Sequence, residues 1–146
     1  MFSFRNIPGT FLALFIPTGA SADLAIISHP DYDGGELGSA QVKNLFLGER
    51  KAFPNGIKAT PFNHAVGSPD RKEFFLQVLN MAESFYRRNW KRKMATGSGN
   101  SPVELNSYDE VLRSVANTPG SISYIDTRMV NDSVKVLFTV KDFDGV

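Results

Sequence analysis

The sequence predicts an α/β domain in which a mixed sheet is flanked by helices. Short apolar runs typical of buried strands are separated by segments whose apolar residues recur every three or four positions, as on one face of a helix. No segment repeats at a fixed period. Because strands that alternate with helices usually pair side by side in the same direction, we expect at least some parallel pairing.

The first 22 residues are expected to be a secretory signal peptide. Arg5 is the only charge in this segment, and an apolar run at 11–16 is followed by small residues at 20–22. That order is typical of a signal peptide cleaved after Ala22. A membrane anchor is the alternative, but the run is far shorter than the roughly 20 apolar residues that span a bilayer. We therefore expect a mature single domain of residues 23–146.

Composition excludes several classes of function. The chain has 16 Lys and Arg against 15 Asp and Glu, and the signal segment holds one basic residue, which leaves 15 of each in the mature domain. Without a global positive field, nucleic acid is not an expected partner. The absence of cysteine excludes disulfides, thiol nucleophiles, cysteine metal sites and a lipidated N-terminal cysteine. We expect no cofactor, no metal, no membrane insertion of the mature chain, and a periplasmic location.

Four strands and three turn-rich loops are predicted along the mature chain. The strands are indicated by short apolar or alternating runs at Leu24–Ile27, Ile57–Phe62, Ile122–Ile125 and Val134–Val140. The loops are rich in Gly, Pro, Asn and Asp, and lie at His29–Gly35, Lys51–Gly56 and Thr96–Pro102. The last of these is a candidate mobile element because of its Gly and Ser content.

Four helices are predicted from apolar spacing and end signals. The first is capped by Ser39 and ends at Gly48. The second follows Ser68 and has an inner stripe of Phe74, Phe75, Val78, Leu79 and Ala82. The third spans about Glu83–Met94, with Tyr86, Trp90 and Met94 at intervals of four. The fourth opens with the capping-box pattern Ser107-Tyr-Asp-Glu110 and ends before Pro119-Gly120.

The junction before the second helix is the predicted centre of the site. Gly67 permits a sharp turn, Ser68 is a preferred N-cap, and Pro69 suits the first helical position. A strand, a glycine turn and a helix N-terminus together present free backbone N–H groups, which favour an anion. The alternative is a purely structural cap, which needs the same residues and no ligand.

The candidate ligand-binding residues are Asn63, His64, Gly67, Ser68 and Arg71. Arg71 lies on the first helical turn, from which a guanidinium reaches an anion from the side. The structural alternatives are a surface polar side chain for His64 and a solvated charge for Arg71. We predict no catalytic residues, because the chain contains no GxSxG, HExxH or P-loop pattern.

The densest charged segment, Arg87–Lys93, predicts a basic helical face. Such a face is either solvated or meets an acidic partner or an anionic lipid surface. Trp90 within the segment is expected to anchor the helix to the core.

Five short motifs follow one another in a characteristic order. They are Leu45-Phe-Leu-Gly48, Phe53-Pro54, Gly67-Ser68, Thr96-Gly97 with Gly99, and Thr118-Pro-Gly-Ser-Ile-Ser-Tyr124. In this order they resemble the substrate-binding proteins of phosphate ABC transporters, and most closely the short exported proteins with the type 2 periplasmic binding fold. The resemblance covers about Asp23–Leu137. It implies a compact periplasmic-binding-protein-like lobe, a small anion such as phosphate held at the glycine-serine turn, and a membrane transporter as partner.

The turn departs from the pattern that full-length members of this family commonly carry, Arg-Ser-Asp-Gly-Ser-Gly-Thr. Gly67 and Ser68 match, whereas His64 stands in the place of the Arg, Pro69 in that of the next Gly, and Asp70 in that of the Thr. Proline removes one N–H donor and the carboxylate adds a negative charge. These departures predict weak anion binding. Binding is expected to be tighter near pH 6 than near pH 8, because a protonated His64 adds positive charge.

A second hypothesis belongs to a different class of function. A full-length binding protein has two lobes that close on the ligand, and this chain is expected to supply one. The domain is then a non-enzymatic interaction module that kept the fold and lost the ligand. Its partner would be a sensor protein, a transport complex or a second copy, and Arg87–Lys93 is the expected contact surface.

Overall fold

A five-stranded mixed sheet forms the centre of the protein. The computed structural model describes residues 23–141, and the predicted signal peptide lies outside these described residues. The strands are β1 (Leu24–Ser28), β2 (Thr60–His64), β3 (Val103–Leu105), β4 (Ser121–Asp126) and β5 (Lys135–Val140). Their order across the sheet is β3-β2-β4-β1-β5. β2 pairs in parallel with β3 and β4, whereas β1 is antiparallel to β4 and β5. The predicted α/β class with a mixed sheet is confirmed.

Helices cover both faces of this sheet. They are α1 (Ser39–Leu47), α2 (Pro69–Phe74), α3 (Glu83–Ala95) and α4 (Tyr108–Asn117). α2 continues directly into a π-helical turn at Phe75–Leu79, and a 3₁₀ turn at Thr127–Met129 follows β4. The chain therefore passes from β2 through α2 and α3 to β3, and from β3 through α4 to β4. These are the helical connections that parallel strands require.

Alternate residues of the central strands pack into two separate apolar clusters. In β1, Leu24 and Ile26 join the cluster that contains residues of α1, α2 and α3, whereas Ala25 and Ile27 join the cluster under α4. Both faces of β1 and β4 are fully buried. β1 reads as a nearly continuous apolar run, which is typical of strands buried on both faces. β4 instead alternates serine with apolar residues, and this period of two also indicated a strand.

Two strand predictions needed correction. β2 begins at Thr60, three residues later than predicted, because Ile57 is 47% exposed and Lys58 forms an isolated bridge with Ala52. β3 was not predicted at all. It is three residues long, lies at the edge of the sheet and exposes Val103, so it has too few buried residues to show a pattern.

Helix ends account for the remaining differences. α1 is capped by Gly38 rather than Ser39, and Gly48 ends it with φ +74 as expected. Ala82 is the exposed N-cap of α3 and not part of an inner stripe, because Asn80 in the left-handed conformation ends the preceding helical turn. Met94 is 46% exposed in the last turn of α3. Trp90 is buried as predicted, and its indole N–H donates to the carbonyl of Phe46 at 3.1 Å.

Candidate functional site

A cavity of about 270 Å³ opens at the carboxyl ends of β2 and β3. The two parallel strands end side by side, with His64 opposite Leu105. A helix follows each strand, and the N-caps of both helices, Ser68 of α2 and Ser107 of α4, line the cavity. Tyr108 forms a further part of the wall. This edge of a parallel sheet is where α/β proteins commonly hold ligands.

Both cap serines face the cavity with a hydroxyl hydrogen available for donation. Ser68 Oγ accepts the N–H of Arg71 at 3.0 Å, and Ser107 Oγ accepts the N–H of Glu110 at 3.1 Å. A hydroxyl that accepts a hydrogen bond still carries its own proton. Because Pro69 has no N–H, α2 offers that of Asp70, whereas α4 offers those of Tyr108 and Asp109. These N–H groups have no intrahelical acceptor, so two positive helix ends meet at one cavity.

The capping-box prediction for α4 is half right. Ser107 does cap the helix, but the Glu110 carboxylate accepts the N–H of Asn106 at 2.7 Å instead of that of Ser107. The carboxylate therefore binds one residue earlier than a capping box requires.

Gly67 forms the turn that the sequence predicted. Its φ is +93, and a Cβ built on it would meet no atom within 4 Å. The backbone conformation, rather than crowding, therefore requires glycine here. Pro69 follows at the first turn of α2 as expected.

His64 is a buried side chain rather than a surface one. It is 4% exposed, and its ring stacks on that of Tyr124 with centroids 4.5 Å apart. Nε2 lies 2.6 Å from the carbonyl oxygen of Tyr124, so this nitrogen carries the ring proton. Burial lowers the pKa of His64 below its usual value, although the Tyr124 carbonyl and Asp70 oppose this. His64 therefore lines the cavity as a neutral ring at pH 7.

Asn63 holds the neighbouring core together. It is fully buried, and its amide donates to the Tyr86 hydroxyl at 3.1 Å. Its oxygen accepts the N–H of His64 at 2.9 Å and the hydroxyl of Tyr124. Burial raises the pKa of Tyr86 to about 12, so this hydroxyl stays protonated at neutral pH. Asn63 is not among the residues that line the cavity.

Arg71 is buried within a network of acceptors, so the alternative interpretation of Arg71 as a solvated charge is wrong. It is 1% exposed and grips Glu83 with two hydrogen bonds, at 2.6 and 2.9 Å. Nη1 of the same guanidinium donates to the carbonyl of His64 at 2.8 Å and to the carboxylate of Glu104 at 3.0 Å. Burial disfavours the guanidinium charge, but the hydrogen bonds with Glu83 outweigh it and raise the pKa of Arg71. The guanidinium faces these groups and does not line the cavity.

The carboxylate of Asp70, expected to repel an anion, is engaged elsewhere. It is buried, accepts the N–H of Asp126 at 2.8 Å and accepts the Tyr108 hydroxyl at 3.1 Å. Burial and the neighbouring Asp70 raise the pKa of Tyr108 to about 12. Tyr108 lines the cavity and Asp70 does not.

Sequence reasoning missed Ser107 and Tyr108 as members of the site. The cap pattern at Ser107 was visible, but its position beside Ser68 follows from the short strand β3, which was not predicted. Of the five predicted ligand residues, the structure places His64 and Ser68 at the cavity, while Gly67 forms the adjacent turn.

Two further properties concern residues 23–141 as a whole. Within this range, no three His, Cys, Asp or Glu side chains converge as they would around a metal ion. The same residues contain no helix with the length and apolar character needed to cross a bilayer.

Comparison with known proteins places the fold. No protein-family model matches the sequence, and no curated protein sequence matches it significantly. Solved structures do match. A phosphate ABC transporter substrate-binding protein from Clostridium perfringens, solved with bound phosphate, aligns with 81% of this chain at 19% identity and a TM-score of 0.65. An ABC-type phosphate transport receptor from Vibrio cholerae aligns with 81% of this chain at 16% identity and a TM-score of 0.64. PstS from Borrelia burgdorferi aligns with 86% of this chain at 14% identity and a TM-score of 0.60.

The chain therefore has the fold of phosphate ABC transporter substrate-binding proteins, as its motifs predicted. It spans 45–49% of the length of these three structures, or about half. Identities of 14–19% establish the fold alone.

Proposed function

We propose that the domain is a non-enzymatic solute-binding module of the periplasm that holds a small oxyanion such as phosphate. The observation that carries this proposal is the cavity between the N-caps of α2 and α4. The fold similarity to phosphate-binding transport proteins supports the same class of ligand. Export rests on the predicted signal peptide.

The cavity would bind an anion by hydrogen bonds and helix ends rather than by a cationic side chain. Its lining contains no Lys, Arg, Asp or Glu. A helix end contributes roughly 0.3–1 kcal/mol to a nearby anion, and a hydrogen bond to a charged group about 1.5–3 kcal/mol. After the cost of immobilising the ion, a dissociation constant on the order of millimolar is expected.

The neutral state of His64 changes the expected pH dependence. The sequence predicted tighter binding near pH 6, but Nε2 already binds the Tyr124 carbonyl and burial lowers the pKa of His64. We therefore expect the affinity for sulfate, whose charge is constant in this range, to stay within about twofold between pH 8 and pH 6.

Isothermal titration of sulfate and phosphate into the full chain tests the proposal. Ser68→Ala and Ser107→Ala each remove one hydroxyl from the cavity, and Ser84→Ala on exposed α3 is the matched control. Titration well below the unfolding temperature separates binding from the roughly 1 kcal/mol that loss of a cap costs. We expect both cap variants to weaken binding about 5- to 20-fold. Equal binding by all three variants, or no saturable binding by the parent, would contradict the proposal.

The second candidate function is a protein-interaction module whose partner is a transporter, a sensor protein or a second copy. It is favoured by the charged face of α3, on which Arg87, Arg88, Lys91 and Arg92 are exposed. Sedimentation of the chain with and without sulfate distinguishes the two functions. A monomer that binds the anion supports the solute-binding module, whereas an oligomer that ignores it supports the interaction module.

A further inference from the structure

A second cavity, of about 350 Å³, lies at the opposite end of the parallel strands. It is bordered by Thr60 at the start of β2 and by Val103 at the start of β3. Gly48, which ends α1, and Trp90 of α3 complete its wall. It shares no lining residue with the cavity between the two helix caps. The amino ends of the strands thus hold a separate concave surface.

All the charged side chains that line this cavity are positive. Arg50, Lys51 and Lys58 contribute to its wall, and no Asp or Glu does. Within residues 23–141, none of the three forms an ion pair. In the same part of the chain, the one hydrogen bond from these three side chains is that of Lys51 Nζ to the Ser98 carbonyl.

Two other cations, whose side chains are mostly buried, are by contrast paired. Lys93 of α3 lies 3.2 Å from Glu49, and Arg71 is held by Glu83 and Glu104. Within residues 23–141, Arg88, Lys91 and Arg92 of α3 form no ion pair either, so what distinguishes the three cavity cations is that they line one concavity. Three positive charges around one concavity attract a multiply charged anion more strongly than a singly charged anion.

The floor of the cavity is apolar and rigid. Trp90 is 5% exposed, and its ring is fixed by the hydrogen bond from its indole N–H to Phe46. A Cβ on Gly48 would lie 2.5 Å from Trp90 Cη2, so the backbone there approaches the ring directly. Pro61 and Pro102 add further apolar wall. An inorganic ion alone would leave this surface unused.

We propose that this second cavity binds a small organic polyanion, either a polycarboxylate or a phosphate ester. The three cations would take its anionic groups, and the apolar wall formed by Pro61, Pro102 and Val103 would take its carbon body. The volume falls within the range of about 300–1,000 Å³ typical of small-molecule sites. Because the two cavities share no residue, this inference stands or falls independently of oxyanion binding between the helix caps.

Titration of citrate, phenyl phosphate and inorganic phosphate into the full chain at about 150 mM ionic strength tests the site. The test variant carries Arg50→Gln, Lys51→Gln and Lys58→Gln. The charge-matched control carries Arg113→Gln, Lys72→Gln and Lys91→Gln, all exposed and outside the cavity. Citrate and phenyl phosphate distinguish a preference for carboxylates from one for phosphate esters.

We expect one or both organic anions to bind the parent and the control variant with similar affinity, and the test variant at least tenfold more weakly. Lys58→Gln alone should weaken binding about three- to tenfold. Phosphate bound between the helix caps should be unaffected by the test substitutions. An equal loss in both triple variants would show general charge attraction and overturn the site, as would the absence of saturable binding of either organic anion to the parent.

Discussion

Arg71 shows how a residue that attracts attention as a ligand can serve the fold instead. Its guanidinium joins α2 to α3 through Glu83, to β3 through Glu104 and to β2 through the carbonyl of His64. The central guanidinium carbon, Cζ, also lies 4.8 Å from the ring centroid of Phe75. Four of its five N–H donors are used in this way. A buried charge with so many partners ties four elements together.

Arg71→Met is therefore expected to destabilise the domain by about 3 kcal/mol. Removing one member of a buried ion pair leaves the other uncompensated, which typically costs about 3–5 kcal/mol, and the partial exposure of Glu83 and Glu104 places this site at the lower end. Urea unfolding measures the change. The exposed Arg113→Met is the control, expected within about 0.5 kcal/mol of the parent. A loss below about 1 kcal/mol for Arg71→Met would contradict the structural role of the network.

Because His64 is buried, we predict that the domain becomes less stable as the pH falls. Burial lowers its pKa in the folded state, so between that lowered value and its ordinary value near 6.5 the unfolded chain binds more protons. Its stabilising contribution is present above about pH 6.5 and is lost progressively as the pH falls through the folded-state pKa. The charged and titratable groups near the ring are Asp70, Arg71, Tyr108 and Tyr124.

Thermal unfolding between pH 8 and pH 5 tests this prediction. The fall in unfolding temperature below pH 6.5 should be smaller in His64→Gln, which cannot take up a proton but can donate to the Tyr124 carbonyl. His29→Gln, in the loop after β1, is the matched control, because it removes the only other histidine of the chain. Identical slopes in all three proteins would remove His64 as the titrating group.

The contact between the end of α1 and α3 depends on one glycine. Gly48 ends α1 in the left-handed conformation, with φ +74, and its backbone lies directly against the Trp90 ring. Gly56 has a similar φ of +92, but a Cβ there would meet nothing within 4 Å. The two positions therefore share the conformational requirement and differ only in crowding.

Gly48→Ala should accordingly cost more stability than Gly56→Ala. The left-handed conformation costs alanine roughly 1–2 kcal/mol at either position, and a Cβ only 2.5 Å from Trp90 Cη2 must displace a buried ring at Gly48. An additional loss of about 1–3 kcal/mol is expected from overpacking. Urea unfolding of both variants measures the difference. Equal losses would mean that Trp90 does not hold α3 against α1.

Elements with strong local signals could be predicted, and elements defined by their neighbours could not. The cap at Ser68, the turn at Gly67 and the buried strands β1 and β4 follow from residue type and apolar patterning. β3 has three residues and one buried side chain, so only its pairing with β2 defines it. The π-helical turn after α2 was not predicted either. Phe74, Phe75, Val78 and Leu79 are buried as predicted, but Ala82 lies beyond the end of this turn and is not part of the buried helix face.

For the molecule as a whole, the fold was more predictable than the site. Motif order indicated the binding-protein fold, which similarity to solved structures confirms at low identity. The site depends on which side chains the topology brings together. His64 and Arg71 look cationic and accessible in the sequence, yet the first is a neutral buried ring and the second is held by carboxylates. Ser107 looks like an ordinary cap, yet it faces Ser68 across one cavity.

The most direct test of oxyanion binding is a sulfate titration of the ¹⁵N-labelled full chain, followed by the amide NMR resonances. We predict saturable shifts at Gly67 and Asp70, beside the α2 cap, together with Tyr108 and Asp109, in the first turn of α4. Both groups should titrate with one dissociation constant, because one ion contacts both helix ends. Absence of saturable shifts at these amides, or shifts at only one of the two helices, would contradict a shared anion site between them.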